Sequence, residues 1–487
     1  MSHLRPSVTI FTAAAAVTGV LLATAPAGAA EPAAHQPTVA HVGQIDRQDI
    51  APQPGSEPDT LVEPDIAVSP RDPRIAVAAA HDGRFPDGGA VDISYAWTHD
   101  GGRTWHHAPV PGLTTAVGGV WDRASDPVLA FGPDGTLYLS TLVFDNTCPS
   151  GVAVSRSTDG GRTFGPPVLV HDSQTCDVSD DKNWLVVDNG WRSPHRGRLY
   201  QFWTAFLTLP DGSDGGSPQW LRYSDDHGRT WSDTITVSGP HDPTQNSQAM
   251  IHPDGSITDA YEFFPAGGGD TPEHHPNAAA ARPQAAPAAE GTQVVARTSG
   301  NGGLSWGDPA TITTDVGEGP DDVRCCLPSG TADPVTGELY LAWDSVTPNL
   351  VNISRSRDGR HWSAPVAVNA GAPATVEMVN VDVAAYGGQV FVSYGSRDTT
   401  VEAGRYVQEE LATGRDTFGT VRFGRPLALG QRSDLKYAAF AGGLFPGDYM
   451  GTAATAGALY VVWARSSTPD DPAAKFHQVL DAAALRT

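Results

Sequence analysis

Charged and aromatic side chains recur at the starts of short apolar runs along this chain of 487 residues. Glu63 and Asp65 lead into Ile66-Ala67-Val68, Asp126 into Val128-Leu129-Ala130, Lys182 and Trp184 into Leu185-Val186-Val187, and Asp448 into Tyr449-Met450. Arg123, Asn246 and Arg324 hold comparable places. Carboxyl groups gathered at one point can share acid and base work on water. Acids, bases and tryptophans that converge suit a polyhydroxylated or acidic sugar. The same acids could hold Ca²⁺, which prefers oxygen ligands; no other cofactor is expected. A plainer reading stands beside these, in which the polar groups cap strand ends and hold water. The sequence has no HExxH, no paired CxxC and no phosphate-binding loop. Glu273, His274 and His275 have the look of metal ligands, but they sit in a low-complexity stretch and read as solvated.

What would bring such residues together is a repeat. Five segments share one spacing: Thr98, Asp100, Gly102, Thr104, Trp105; Ser157, Asp159, Gly161, Thr163, Phe164; Ser224, Asp226, Gly228, Thr230, Trp231; Ser299, Asn301, Gly303, Ser305, Trp306; and, one residue shorter, Ser356, Asp358, Gly359, Trp362. A short oxygen-bearing side chain can accept from backbone N–H groups just ahead of it and close a tight turn. Glycine supplies the positive φ that such a turn needs. The aromatic then re-enters a strand and buries a large apolar surface. The pattern resembles the Asp-box repeat of sialidases and related β-propellers. That resemblance implies a turn between the third and fourth strands of a blade, on the face away from the active site.

The acidic or amide members of the motif are 59, 67, 75 and 57 residues apart, a blade period with loops added. Between them runs a second pattern, an apolar strand, a Gly turn and an aromatic-rich strand, which occurs seven times and ends in Leu459-Tyr460-Val461-Val462-Trp463. The expected fold is all-β, a β-propeller of seven blades with six as the alternative, each blade a four-stranded antiparallel sheet. A decayed motif is expected around Arg415, Asp416, Thr417 and Phe418. The last blade lacks the motif, and its outer strand is expected from Val39–Ile45, which would close the ring. Residues 265–290, rich in Ala, Pro and Gly, read as a disordered insertion.

Residues 1–30 read as a signal peptide, with a basic start, an apolar stretch and Ala27-Gly28-Ala29 as cleavage site. Residues 31–59 read as a flexible segment that contributes the closing strand, and 60–487 as the propeller. No later stretch is apolar enough to span a bilayer, so the chain is expected to be secreted and extracellular. The formal charge of −24 argues against nucleic acid and anionic membrane surfaces as partners. The four cysteines suit an oxidising compartment. Cys148–Cys176 is the expected disulfide, which leaves Cys325 and Cys326 either bonded to each other or free. A monomer is expected.

The sialidase resemblance extends to individual residues. Ile75–Ile93, ahead of Thr98, looks like the family's first-blade strand and loop. It implies that Arg84 is a carboxylate-binding arginine and that Asp87 is the general acid, with Asp82 competing. Asp448-Tyr449-Met450-Gly451 resembles the segment that carries the family's nucleophilic tyrosine. The departures are as specific. The family's Arg-Ile-Pro is replaced by Val62-Glu63-Pro64, Asn246 stands where a glutamate base is expected, and the arginine due near Tyr261-Glu262 is missing. Without that glutamate, Tyr449 is expected to keep its ordinary pKa of about 10 and to be a poor nucleophile.

The reading is therefore an exo-acting glycoside hydrolase of the sialidase-like superfamily on acidic or complex glycans. Asp87 would be the acid and Glu63 or Asp126 the base towards water. Arg84, Arg123, Lys182, Trp184, Asn246, Arg324 and Asp448 would bind the glycan. The first alternative is a polysaccharide lyase, with Tyr449 donating a proton and Arg123, Lys182 or Arg324 neutralising a uronic acid. The second is a propeller that binds glycan or protein without catalysis.

Overall fold

The computed structural model describes residue 1 and residues 36–487, apart from 49, 266–290, 318, 347–349 and 418. The expected leader beyond Met1, the insertion after Pro265 with Glu273, His274 and His275, and Phe418 lie outside the described residues. What is described is all-β, with only three short 3₁₀ turns among the strands.

The strands form antiparallel meanders, each starting with a strand that carries or directly follows one of the polar starts. The first two are β2 (Leu61–Val68), β3 (Ala76–Arg84), β4 (Ala90–Thr98) and β5 (His106–Pro109), then β6 (Arg123–Phe131), β7 (Leu137–Phe144), β8 (Ser150–Ser157) and β9 (Val168–Asp172). A single residue pair, Ala90 with Ala124, joins these two into one eight-stranded sheet. Three separate four-stranded sheets follow. They are β10 (Val178–Val187) to β13 (Ile235–Thr236), β14 (Thr244–Ile251) to β17 (Ala310–Thr313), and β18 (Ser329–Ala332) to β21 (Val366–Ala367). The next runs from β22 (Val376–Tyr386) to β25 (Thr420–Phe423), with β26 (Leu427–Asp434) also pairing β24 (Tyr406–Thr417). In the last sheet β29 (Gly451–Thr455), β30 (Ala458–Ser466) and β31 (Gln478–Arg486) are completed on the outside by β1 (Thr38–Asp46). The two ends of the described chain are thus hydrogen-bonded to each other.

First strands touch in succession, β2 with β6, β6 with β10, β10 with β14, β14 with β18, β18 with β22, β22 with β29 and β29 with β2. The arrangement is β-propeller-like. Apolar clusters fill the gaps between neighbouring sheets: Val77, Ile93 and Tyr95 meet Leu129, Phe131 and Leu139, and Val128, Tyr138 and Val152 meet Leu185, Leu199 and Trp203. Because both faces of a sheet are covered, strands read as continuous apolar runs rather than alternating ones; Ala76 to Ala80 are all fully buried. Each large side chain buried in these gaps contributes about 1.5–3 kcal/mol.

The repeated turns are all built alike. Asp226 Oδ1 accepts from the Thr230 amide at 2.9 Å and from Ser224 Oγ at 2.8 Å, while its Oδ2 accepts from Thr230 Oγ1 at 2.7 Å. Asp100 and Asp159 repeat these contacts, and Asn301 substitutes its amide for the second oxygen. Glycine is required twice over at Gly161. Its φ is +82°, and a Cβ there would lie 2.3 Å from Val77 of the neighbouring sheet. Register puts these turns at one end of the meanders: Thr98 pairs Ala76, which pairs Val68 at the far end of β2. Glu63 and its counterparts lie at the other end.

Candidate active site

Four first strands are interrupted in the same way. Two residues of the first strand oppose one on its neighbour at Glu63-Pro64, Asp126-Pro127, Lys182-Asn183 and Asn246-Ser247. The first residue of each pair is left-handed, with φ of 55° at Glu63, 49° at Asp126, 41° at Lys182 and 60° at Asn246. Asn380, at φ 57°, is the extra residue of β22, and Cys326, at φ 100°, precedes β18. Such a bulge turns a side chain out of the sheet's alternation. Holding a residue other than glycine in this region costs on the order of 1–3 kcal/mol. Repeating that cost around a ring singles out one end of the molecule.

At this end Glu63 and Asp126 meet over a histidine. His81, on β3 and fully buried, places Nε2 3.2 Å from Glu63 Oε2 and 3.7 Å from Asp126 Oδ1. The Asp126 amide donates to Nε2 at 2.8 Å, and Ser125 Oγ lies 3.2 Å from the same atom. Glu63, His81 and Asp126 are close enough to suggest a metal centre. The donor set does not fit one, because the imidazole lone pair that would face a cation already accepts the Asp126 amide. His81 has no counterpart among the candidates read from sequence; a single histidine inside an alanine-rich strand carries no spacing signal.

Tyr449 precedes β29 and sits beside these acids. Burial, followed by the carboxylates of Asp126, Glu63, Asp65 and Asp448, pushes its phenol well above the ordinary value. The expectation of an unshifted tyrosine is thus corrected. Although the family's glutamate is absent, acids from other strands surround the ring, and they disfavour a second negative charge. The hydroxyl is buried and accepts or donates no hydrogen bond among the described residues. Lys182 Nζ lies 3.8 Å from the centroid of the Tyr449 ring and 5.6 Å from that of Trp184, also without a hydrogen-bond partner. Lys182, Trp184, Asn246 and Tyr449 line one cavity of about 570 Å³ that runs along the first strands.

The remaining candidates are distributed around this centre. Arg324 binds Asp448 through two nitrogens, at 3.3 and 3.1 Å, and the Asp448 amide donates to Glu63 Oε1 at 3.2 Å. Asp448 is also held from below, since the Cys326 and Leu327 amides both donate to its carbonyl. Cys325 and Cys326 are bonded to each other, and Cys148 to Cys176. Asp87, in the β3–β4 turn and 51% exposed, is bound by Arg123 at 2.7 Å. Arg123 also covers the Phe85 ring. Arg84 does not reach the cavity; it is 1% exposed, lies 4.4 Å over the Phe445 ring and donates to the Phe85 carbonyl. Asn246 donates to the Pro328 carbonyl at 3.1 Å.

Some polar residues of the cavity have structural work. Asp65 accepts from the Leu129 amide, Trp184 donates to the Ala249 carbonyl, and Gln248 accepts from the Gly330 amide. Each of these bonds ties one first strand to the next. Burial raises Asp65 to about 6 and Asp382 to about 7.

The chain is similar to proteins of the sialidase-like superfamily. No family model matches it. Over 220 residues it is 31% identical to a sialidase of Micromonospora viridifaciens, a match covering 37% of this chain and 32% of the other. The chain thus spans about a third of the length of the curated relative it matches. Among solved structures, an ulvan lyase superposes with a TM-score of 0.49 at 12% identity, covering 89% of this chain and 95% of that one. A leech intramolecular trans-sialidase superposes with a TM-score of 0.47 at 12% identity, covering 80% and 70%.

Proposed function

We propose that this chain is a secreted glycoside hydrolase built as a seven-bladed β-propeller, with its reaction centre where the bulged first strands converge. One observation carries the proposal: Glu63, Asp126 and Lys182 are held in left-handed bulges around a buried tyrosine hydroxyl that has no hydrogen-bond partner among the described residues. Backbone strain repeated at equivalent positions, and polar atoms left open to a cavity, are what a substrate site requires. In this reading Asp126, which stands with Glu63 beside His81, accepts the proton of an attacking water. Tyr449 stays a neutral phenol and donates a hydrogen bond to the sugar. Asp87, the acid the sequence points to, is paired with Arg123 in the β3–β4 turn, so the leaving glycosidic oxygen takes its proton from water. The likeness to a sialidase supports glycosidase chemistry, and the disulfides suit an oxidising compartment. Among the described residues no helix is long and apolar enough to cross a membrane.

The test is incubation of the purified full chain with a panel of plant, bacterial and animal glycans, with reducing sugar and ultraviolet absorbance followed together. New reducing ends without the absorbance of an unsaturated uronate support a hydrolase. That absorbance would instead establish a lyase. Binding without either signal would establish a glycan-binding propeller.

A further inference from the structure

We infer that the sugar taken at this centre is neutral, carrying no carboxylate, an inference that rests on the hydrolase reading above. Recognition of a sialic or uronic acid needs a cation free to meet its carboxylate. Among the described residues, four arginines around the bulged end each have a carboxylate of their own. Arg123 holds Asp87 at 2.7 Å, and Arg324 holds Asp448 through two nitrogens. Arg397 is bound by Glu377 at 2.7 Å and by Asp322 at 3.2 Å. Arg84 is buried over Phe445, 3.9 Å from Glu57.

Lys182 does not replace them. Its ammonium is committed to the Tyr449 ring, 3.8 Å from the centroid. An anionic sugar placed there would also meet Glu63, Asp126 and Asp448, the carboxylates that raise Tyr449. To use one of the arginines it would have to expel a carboxylate whose own pairing is lost in the exchange, which is costly where water is scarce. The chain's formal charge of −24 adds a long-range repulsion. A neutral sugar meets none of these obstacles. Its hydroxyls can accept from Lys182 Nζ and Tyr449 Oη, and its C–H face can lie on Trp184, which borders the cavity.

The test has two arms on the full chain. In the first, 4-nitrophenyl glycosides of neutral sugars (arabinose, galactose, glucose, xylose) are compared with those of glucuronic and N-acetylneuraminic acids. At least one neutral glycoside is expected to be cleaved with kcat/KM about 100-fold or more above both acidic ones. Equal or faster cleavage of an acidic glycoside overturns the inference. In the second arm the free monosaccharides are titrated by calorimetry, so that the inference is judged even if nothing is cleaved and the hydrolase reading falls. Binding of a neutral sugar with none of either acid supports it; tighter binding of an acid, or no binding at all, overturns it. Asp448→Asn, which removes the charge opposite Arg324, is expected to make glucuronate binding measurable. An unchanged affinity in a folded variant counts against the account.

Discussion

The ammonium of Lys182 lies 3.8 Å from the centroid of the Tyr449 ring. The two residues come from sheets that are not neighbours: Lys182 belongs to β10, and Tyr449 immediately precedes β29. Their contact therefore spans the cavity, and it brings a cation to a phenol that burial and nearby carboxylates keep neutral. Neither polar head has a hydrogen-bond partner among the described residues. Groups held in this way add little to stability and stand ready for a ligand.

Tyr449→Phe removes a hydroxyl that has no hydrogen-bond partner among the described residues. Its unfolding free energy is expected to stay within about 1 kcal/mol of the parent, while kcat/KM falls about 10²-fold or more. Lys182→Met is expected to behave in the same way. Chemical denaturation together with initial rates measures both quantities. A large loss of stability with activity retained would make the pair structural.

The turn motif should show the opposite pattern. Asp226→Ala removes the acceptor of the Thr230 amide, the Thr230 hydroxyl, the Arg229 amide and the Ser224 hydroxyl. We expect a loss of about 1–3 kcal/mol with KM and kcat unchanged, because the turn lies at the end away from the bulges. A changed KM would show that the two ends communicate.

Stability should be greatest in mild acid. Burial raises Asp65 to about 6, Asp259, Asp344 and Asp382 to about 7, and Glu409 to about 8. A carboxyl raised on folding holds its proton more tightly in the native state. Its contribution is full below the unfolded value near 4 and is lost as pH rises through about 6 to 8. Asp100 and Asp226 are lowered to about 2 by their turn hydrogen bonds, which outweigh burial; their contribution is present above about 4 and is lost as pH falls towards 2. Thermal melts across this range should therefore peak between about pH 4 and 6. Asp259→Asn should flatten the alkaline side of the curve.

Cys148 lies between β7 and β8, and Cys176 between β9 and β10. Their bond closes a separation of 28 residues. Replacing both with serine is expected to lower stability by about 3–4 kcal/mol in the loop-closure view. The loss should appear as a lower denaturation midpoint, with the chain still folded at 25 °C.

Much of this architecture was legible because its signals are local. The spacing of Asp100, Asp159, Asp226, Asn301 and Asp358 marks where third strands end, since a turn pinned by its own side chain needs no distant partner. Glu63, Asp126, Lys182 and Asn246 could be selected because each stands just ahead of an apolar run. Their left-handed backbone was not legible; it arises from pairing with β3, β7, β11 (Leu199–Leu207) and β15 (Ile257–Phe263), which no short window contains. His81 was missed for a related reason, as its partners Glu63, Ser125 and Asp126 come from two other strands. The pairing of Arg123 with Asp87 and of Arg324 with Asp448 is tertiary too. For that reason the family likeness implied acidic or complex glycans, and the inference of a neutral sugar could be argued only from the assembled charges.

The central claim is that the bulged residues form a reaction centre, and Asp126→Asn tests it most directly. The change keeps the side chain's size and its place beside Ser125 and His81 but removes its capacity to accept a proton. Release of aglycone from the best neutral glycoside, measured for parent and variant at matched melting temperature, should show kcat/KM reduced about 10²–10⁴-fold. Parental activity in a folded Asp126→Asn protein would contradict the assignment.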